Sequence, residues 1–157
     1  IESGKMYVWG LNDAGQLGQN NTIDRSSPVQ VGALTTWTKV SSTERSVAAI
    51  KTDGTLWAWG ANDYGQLGQN NTANTSSPVQ IGALTTWSKV YGLQYAFIAV
   101  KTDGTIWSWG RNDNGQLGQG NITNYSSPVQ IGSLSSWSLG NSGKYATGSS
   151  TNGFLSY

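Results

Sequence analysis

Apolar and polar residues alternate in short runs along this chain of 157 residues, and turn-forming residues separate the runs. In the segment TLWAWG at 55–60, Leu56 and Ala58 fall on one face of a strand, and Trp57 and Trp59 fall on the other. A strand that is aliphatic on one face and aromatic on the other is expected to be buried on both faces. The pattern therefore predicts short strands packed between neighbouring sheets.

Turn signals divide these runs into hairpins. Asp53-Gly54 splits SVAAIKTDGTLWAWG, and Asp103-Gly104 splits AFIAVKTDGTIWSWG. Asp-Gly favours a type I′ turn, in which both central residues have positive φ, so we predict type I′ hairpins here. The segments SSPVQ and TWSKV add two more short strands, giving four strands per unit, and the proline of SSPVQ fits either the first residues of its strand or an outer edge.

The same sequence motif recurs every 50 residues. WGLNDAGQLGQN begins at Trp9, WGANDYGQLGQN at Trp59 and WGRNDNGQLGQG at Trp109. A period in this range indicates a solenoid or a propeller. We assign residues 1–157 to a single repeat region with units at 4–53, 54–103 and 104–153, residues 154–157 beginning the next, and the recurring Trp residues in the blade core.

The loop after each WG is predicted to be a compact turn. Gly15 and its repeats at Gly65 and Gly115 are expected to have positive φ, while the Asn-Asp pair caps the turn. Gln16 and Leu17 are expected to point inward, Leu for packing and Gln for hydrogen bonds to the backbone.

The segment GTLWAWGANDYGQLGQNNTANTSSPVQIGALTTWSKV resembles the repeat of the regulator of chromosome condensation 1 (RCC1) family. That family's pattern runs G-x-V-Y-x-W-G-x-N-x-x-G-Q-L-G and then P-x-x-V. The resemblance covers essentially the whole chain and implies an all-β RCC1-like β-propeller, usually of seven four-stranded blades. Three units correspond to about three blades, so we expect a partial ring or part of a larger propeller, with an unpaired strand edge at each end.

Members of that family differ in function, so the fold alone does not decide what this chain does. They include an exchange factor for a small GTPase, a plant ultraviolet receptor, ubiquitin-ligase modules and a secreted β-lactamase inhibitor. The chain lacks the receptor's Gly-Trp-Arg-His-Thr runs and the exchange factor's protruding wedge. Where the family often has Gly-x-x-His, it has TERS at 43–46 and LQYA at 93–96. Neither of those two activities is expected here.

The composition argues against catalysis. The chain has no Cys and no His, which removes the thiolate nucleophile, the commonest zinc ligands and the usual general base near neutral pH. Each Asn-Asp loop offers one carboxylate, whereas a calcium site needs several. We therefore expect no enzyme activity, no catalytic or cofactor-binding residues, no metal site and no cofactor.

Charge and hydropathy limit the classes of partner that are expected. Only 11% of the residues are charged, the net charge is +1, and no run of basic residues is present, so no nucleic-acid partner is expected. No apolar run is long enough to span a bilayer, so membrane insertion is not expected either. A surface of uncharged amides and hydroxyls favours an extracellular or virion-surface location. A protein partner, self-association through open blade edges, and a surface glycan remain as candidate interactions.

Residues that interrupt the repeat are the best candidates for partner contact. Unconstrained drift in the loops is an alternative explanation for them. The candidates are large aromatic or guanidinium side chains at positions where the other units have different residues: Tyr64, Tyr91, Tyr95, Tyr125, Arg25 and Arg111.

Two functions are compatible with these observations. The first is a non-enzymatic propeller module for binding or assembly, as a structural or adhesive component of a virion or cell surface. The second is a soluble protein-binding propeller, such as a secreted enzyme inhibitor or a regulatory scaffold.

Overall fold

The computed structural model describes residues 4–33 and 36–133, which form ten β-strands and no helix. The expected all-β fold is confirmed. The strands are β1 (Tyr7–Gly10), β2 (Arg25–Gln30), β3 (Trp37–Ser42), β4 (Ser46–Lys51), β5 (Leu56–Gly60), β6 (Thr75–Gln80), β7 (Trp87–Gly92), β8 (Ala96–Lys101), β9 (Ile106–Gly110) and β10 (Tyr125–Gln130).

The strands form antiparallel sheets in sequence order. One four-stranded sheet is β3-β4-β5-β6, a second is β7-β8-β9-β10, and β1 pairs with β2 in a two-stranded sheet. Each four-stranded blade therefore takes two strands from one repeat unit and two from the next. The strand expected at 153–157 lies outside the described residues.

The proline-containing strands lie where the missing N–H is harmless. β6 and β10 are edge strands of the four-stranded sheets and carry Pro78 and Pro128. The register of β6 on β5 shifts between the pairs Gly60↔Thr75 and Ala58↔Val79, so the proline sits within an irregular stretch. The expected outer-edge position is confirmed.

The Asp-Gly hairpin between β4 and β5 differs from the predicted turn type. Gly54 has φ +77°, whereas Asp53 is not among the residues with positive φ, so the type I′ prediction was wrong. The Gly54 N–H donates to the Lys51 carbonyl (3.0 Å), and the Lys51 N–H donates to the Thr55 carbonyl (3.0 Å). This is a three-residue loop with a glycine bulge. The Asp53 carboxylate holds it by accepting bonds from the Thr55 amide (3.0 Å) and hydroxyl (2.6 Å).

Neighbouring blades share their cores. One buried cluster joins Ala58 and Leu67 of the first four-stranded blade to Trp87, Phe97 and Trp109 of the second. The Phe97 and Trp109 rings stack with centroids 5.9 Å apart. Burying large aromatic groups between sheets supplies much of the hydrophobic stabilisation of a chain that has few charges.

The first strands of the two blades converge. The Gly92 N–H of β7 donates to the Ser41 hydroxyl of β3 at 2.8 Å. A Cβ added at Gly92 would lie 2.2 Å from the Ser42 carbonyl oxygen, so glycine is required by the close approach of the two backbones. This convergence is the geometry of blades arranged around a common axis.

A lysine that packs on two tryptophan rings closes the opposite end of each blade. The Lys51 ammonium lies 3.4 Å from the Trp57 ring centroid and 5.0 Å from that of Trp37. Lys101 repeats the arrangement on Trp107 and Trp87. Burial lowers the pKa of both lysines, while the ring faces offset part of the lost hydration.

Trp9 does not share the environment of its repeats. The Trp9 side chain is 63% exposed, whereas Trp59 and Trp109 are 0% exposed. The expectation that every recurring Trp lies in the blade core is wrong for Trp9. The physical reason is that β1 has a strand on one side only among the described residues, while β5 and β9 each lie between two strands.

Candidate functional site

The loops that vary between units lie at one end of the sheets. Because the strands are antiparallel, the β3–β4 connection at 43–45 and the β5–β6 loop at 61–74 emerge at the same end. The second blade places its equivalents at 93–95 and 111–124. Contacts between these loops bring the two blades together here, such as the bond from the Glu44 N–H to the Gln94 carbonyl (3.5 Å).

A buried asparagine stabilises each long loop through side-chain hydrogen bonds to the loop backbone. The Asn62 side chain accepts a bond from the Leu67 N–H (2.8 Å) and donates to the carbonyls of Asn71 (3.0 Å) and Ala73 (3.0 Å). Asn12 and Asn112 repeat this pattern, and all three are fully buried. The predicted turn-capping role of the Asn is confirmed, and it satisfies backbone groups that would otherwise be unpaired.

The GQLG parts of the first and second loops pack each of these loops onto the next blade. The Trp59 indole N–H donates to the Gln16 carbonyl at 3.0 Å, and the Trp109 indole donates to the Gln66 carbonyl at 2.9 Å. A Cβ added at Gly65 would lie 2.5 Å from Ser126 Cα, so the glycine also permits this contact. The recurring sequence is thus the connector between successive blades.

Three of the predicted contact residues meet in one cluster between the blades. The Tyr64 and Tyr95 ring centroids are 5.5 Å apart. The Arg111 guanidinium lies 5.2 Å from the Tyr64 centroid and 5.6 Å from the Tyr95 centroid. The Tyr95 hydroxyl donates a hydrogen bond to the Glu44 carboxylate. We call these four residues the aromatic cluster.

Ion pairs flank the aromatic cluster. Arg111 pairs with Asp113 at 2.6 Å, and Arg45 pairs with Asp13 at 2.7 Å. The bond from Arg111 lowers the pKa of Asp113, and the bond from Arg45 lowers that of Asp13. The bond to Glu44 raises the pKa of the Tyr95 hydroxyl, because a protonated phenol is the donor.

The cluster exists at only one of two equivalent boundaries between sheets. Tyr95 occupies the position of Arg45, and Tyr64 occupies the position of Ala14, 50 residues earlier. At the first boundary the contact is therefore an ion pair to Asp13, and at the second it is a pair of rings beneath Arg111. The scaffold is the same, but the surface chemistry differs.

Two polar groups beside the cluster, the Gln66 amide and the Asp63 carboxylate, lack the contacts that the equivalent groups make in the other units. The Gln16 and Gln116 side-chain amides donate to Asp13 and Asp113. The Gln66 amide nitrogen is buried without a hydrogen-bond partner among the described residues. The Asp63 carboxylate is exposed and has no ion pair within the described part of the chain. Unsatisfied buried donors are uncommon, so Gln66 distinguishes this loop from the two other loops.

The other predicted contact residues lie outside the cluster. Tyr91 packs against the apolar group of Ile98 and its neighbours. Tyr125 packs against the shared core, and its hydroxyl accepts a bond from Asn121 at 2.9 Å. Arg25 is half-buried at the start of β2, and its Nε has no hydrogen-bond partner among the described residues.

The prediction missed the acidic members of the site. Glu44 and Asp63 complete the cluster and its rim but were not selected. Glu44 carried a usable signal, because it interrupts the repeat where unit two has Gln94 and is one of only two Glu residues. Asp63 recurs as Asp13 and Asp113, so no difference in sequence distinguishes it.

Across 4–33 and 36–133, no three His, Cys, Asp or Glu side chains come together as metal ligands. In the same ranges, no helix has the length and hydropathy needed to cross a membrane.

Hydrogen-bonded carboxylates predict an acid-sensitive fold. The Thr55 hydroxyl and amide lower the pKa of Asp53, and the Thr105 amide and hydroxyl lower that of Asp103. A carboxylate with a depressed folded-state pKa contributes stability above its unfolded pKa of about 3.9 and loses it as the pH falls through the folded value. We expect the melting temperature to be level above about pH 5 and to fall below about pH 4.

Circular dichroism melts across this range test the acid sensitivity. The double variant Asp53→Asn with Asp103→Asn should have a flatter acid limb than the parent chain. An unchanged acid limb would show that these turns do not couple folding to protons.

The fold and the loop architecture define the chain as a repeat protein of the β-propeller class. A family model described as the regulator of chromosome condensation (RCC1) repeat matches residues 3–50, 53–92 and 103–153, and a second RCC1 repeat model matches 37–66. The chain belongs to the RCC1 repeat family. The comparison with curated protein sequences gives no match.

Solved structures share the architecture. Human WBSCR16 is 22% identical with a TM-score of 0.74, over 84% of this chain and 34% of that protein. Prp20p of Saccharomyces cerevisiae, described with its binding properties to Gsp1p and histones, is 19% identical with a TM-score of 0.74, over 82% and 34%. Yeast RCC1 (Prp20), in its complex with Kap60, is 18% identical to this chain, with a TM-score of 0.72. This chain spans about a third of the length of these proteins.

Proposed function

We propose that this chain is a non-enzymatic binding and assembly module that recognises a partner protein through the aromatic cluster. The observation that carries the proposal is the meeting of Tyr64, Tyr95 and Arg111 at one boundary between blades. Tyr and Arg are the residues most enriched at the energetic centres of protein interfaces. One relative whose structures name partners, yeast RCC1 (Prp20p), is described with the proteins Gsp1p, histones and Kap60.

The charges around the cluster favour a basic segment of the partner. Arg111 and Asp113 compensate each other, as do Arg45 and Asp13. Glu44 and Asp63 remain as carboxylates without a cationic partner within 4 Å in the described chain. An Arg or Lys side chain of the partner could lie on the tyrosine rings and meet these carboxylates.

A random peptide display library tests this proposal directly. We expect selected peptides to be enriched in Arg and Lys, and their binding to weaken about tenfold or more in Tyr95→Ala, as at an interface hot spot. Asp63→Asn should weaken binding less and reduce its salt dependence. Tyr125→Phe removes a hydroxyl outside the cluster and serves as the matched control.

The results can also contradict the proposal. Peptides that bind Tyr95→Ala and Asp63→Asn as tightly as the parent would place the binding surface elsewhere. A glycan array that shows binding sensitive to the same variants, with no peptide selected, would assign the cluster to a glycan instead. The variants keep their folded spectrum if only the surface is altered, which circular dichroism verifies.

The assembly part of the proposal concerns the face beside β1. A cleft of about 460 Å³ lies between β1 and β3, lined by apolar groups that include Val8, Trp9 and Val40. Val40 is 58% exposed, whereas its repeat Val90 is 6% exposed. An apolar face beside an unpaired strand edge favours association with another chain.

The last part of the proposal concerns the location of the protein. We propose an exterior location, on a virion or cell surface or as a secreted binder, on the basis of composition. The support is a surface dominated by Asn, Gln, Ser and Thr with 11% charged residues. Localisation of the tagged protein in its source is the measurement that decides it.

A further inference from the structure

Both halves of the contact between blades are present, each without a docked partner among residues 4–33 and 36–133. The first half is the loop at 111–120, which we call the donor loop. The second half is the surface of β1 and β2 around Trp9 and Ser26, which we call the acceptor face. We infer that the donor loop of one copy of this chain docks on the acceptor face of a second copy, head to tail. This inference rests on the assembly part of the proposed function.

The chain itself shows twice how such a contact is made. The loop at 11–20 lies on β5 and β6, with the Gln16 carbonyl accepting from Trp59 (3.0 Å) and the Asn20 N–H donating to the Ser76 carbonyl (2.8 Å). The loop at 61–70 lies on β9 and β10 in the same way. The Gln66 carbonyl accepts from the Trp109 indole (2.9 Å), and the Asn70 N–H donates to the Ser126 carbonyl (2.7 Å). The contact is therefore a reproducible unit of recognition.

The donor loop has the same internal structure as the two loops that dock. Gly115 and Gly118 have φ of +73° and +67°, close to their repeats. The Leu117 N–H donates to the Asn112 side chain at 2.9 Å, as in the other units. Among the described residues, a Cβ added at Gly115 meets nothing nearer than the Asn121 carbonyl oxygen at 4.0 Å. The loop is thus pre-organised without a blade beneath it.

The acceptor face has the residues that a donor loop needs. Trp9 is in register with Trp59 and Trp109, and no hydrogen bond of its indole is seen in the described chain. Ser26 is exposed, whereas its repeats Ser76 and Ser126 are half-buried beneath their loops. Leu11 is also exposed, in contrast to Ala61, which is buried. The face is apolar, and the net charge of +1 gives little repulsion between copies.

The docked contact follows from the two observed ones. The Gln116 carbonyl accepts from the partner copy's indole at Trp9, and the Gly120 N–H donates to the carbonyl at Ser26. The two surfaces are different, so the interface is heterologous. Such contacts generate a ring if the rotation closes and an open chain if it does not. Association should therefore continue beyond a dimer unless a ring forms.

Two variants test the acceptor face and the donor loop separately. Trp9→Ala removes the indole from the acceptor face. Gly115→Asn keeps a residue type that tolerates positive φ but adds a side chain where the repeats leave 2.5 Å to the serine Cα. Gly82→Asn is the matched control, because Gly82 has φ +60°, an added Cβ meets nothing within 4 Å among the described residues, and the position lies outside both the donor loop and the acceptor face.

Sedimentation velocity over a concentration series of the 157-residue chain is the test. The parent chain and Gly82→Asn should associate with rising concentration, and Trp9→Ala and Gly115→Asn should each associate at least about tenfold more weakly. Mixing a donor-blocked with an acceptor-blocked copy leaves one intact donor loop and one intact acceptor face, so the mixture should form a one-to-one dimer and nothing larger. Tryptophan emission should shift to the blue as the parent associates.

Other outcomes overturn the inference. A parent chain that stays monomeric at all concentrations would show that the acceptor face is covered within one chain. Association that Gly115→Asn leaves unchanged would indicate symmetric pairing of β1 edges. A mixture of the blocked variants that remains monomeric would also exclude docking in this register. Tyr95→Ala should associate like the parent, so failure here and failure of the aromatic cluster can be told apart.

Discussion

Replacing Trp59 with alanine should lower the free energy of unfolding by about 3–5 kcal/mol, the range for truncating a buried aromatic side chain. Trp59 is 0% exposed, tilts against Trp37 with ring centroids 5.7 Å apart, and donates to the Gln16 carbonyl. The variant leaves a large cavity between two sheets and orphans a carbonyl that anchors a loop. Both effects act in the same direction.

The repeat supplies a control in the same sequence context. Trp9 lies 50 residues earlier in the same W-G-x-N-D motif, but 63% of its side chain is exposed. Trp9→Ala should cost less than about 1 kcal/mol when the chain is dilute enough to be monomeric. Denaturant titrations of both variants provide the comparison. Equal losses would mean that the two tryptophans share one environment, contrary to the sheet topology.

Loss of Asn62 is expected to be almost as severe. Asn62→Ala should lower the free energy of unfolding by about 3 kcal/mol, because it leaves the buried Leu67 N–H unpaired and removes the donors to two carbonyls. Asn62→Asp is nearly the same shape but should be no better. Its carboxylate can accept from Leu67, yet it cannot donate to the Asn71 and Ala73 carbonyls, and its charge would be buried.

An exposed asparagine of the third unit serves as the control for Asn62. Asn114→Ala should change the free energy of unfolding by less than about 0.5 kcal/mol, since that side chain bonds only its neighbour Asp113 at 3.3 Å. Hydrogen exchange of the Leu67 amide gives a second reading, and it should accelerate in both Asn62 variants. A well-tolerated Asn62→Asp would mean that the loop is held by its backbone turns rather than by this side chain.

The aromatic cluster shows how a repeat scaffold can change its surface without changing its core. Asn62 and Trp59 have the same roles in successive units, whereas Arg45 and Tyr95 occupy equivalent positions with different partners. Such positions are supported by rigid neighbours, so a ring pair or an ion pair can occupy them at little cost to folding. This separation of scaffold and surface is the basis of the proposed binding role.

The sequence determined the features that local chemistry and periodicity control. Alternation and Gly, Pro and Asn signals specified the β class, the strands, the capping asparagine and the period of 50, because each depends on neighbours in the chain. Three of the six predicted contact residues, Tyr64, Tyr95 and Arg111, proved to share a cluster. These three residues stand at positions at which one unit differs from the others, and their contact with a partner stays a prediction.

Only the tertiary structure decided what depends on neighbours distant in sequence. One local feature also differed from the prediction, because the Asp53 side chain bonds Thr55 two residues on and the hairpin is not of type I′. Glu44 joined the cluster because β3 and β7 converge and bring two loops together. Above all, Trp9 and Trp59 are alike in sequence and opposite in exposure, because burial depends on which strand and which loop lie alongside, and a repeat unit does not encode the presence of its neighbour.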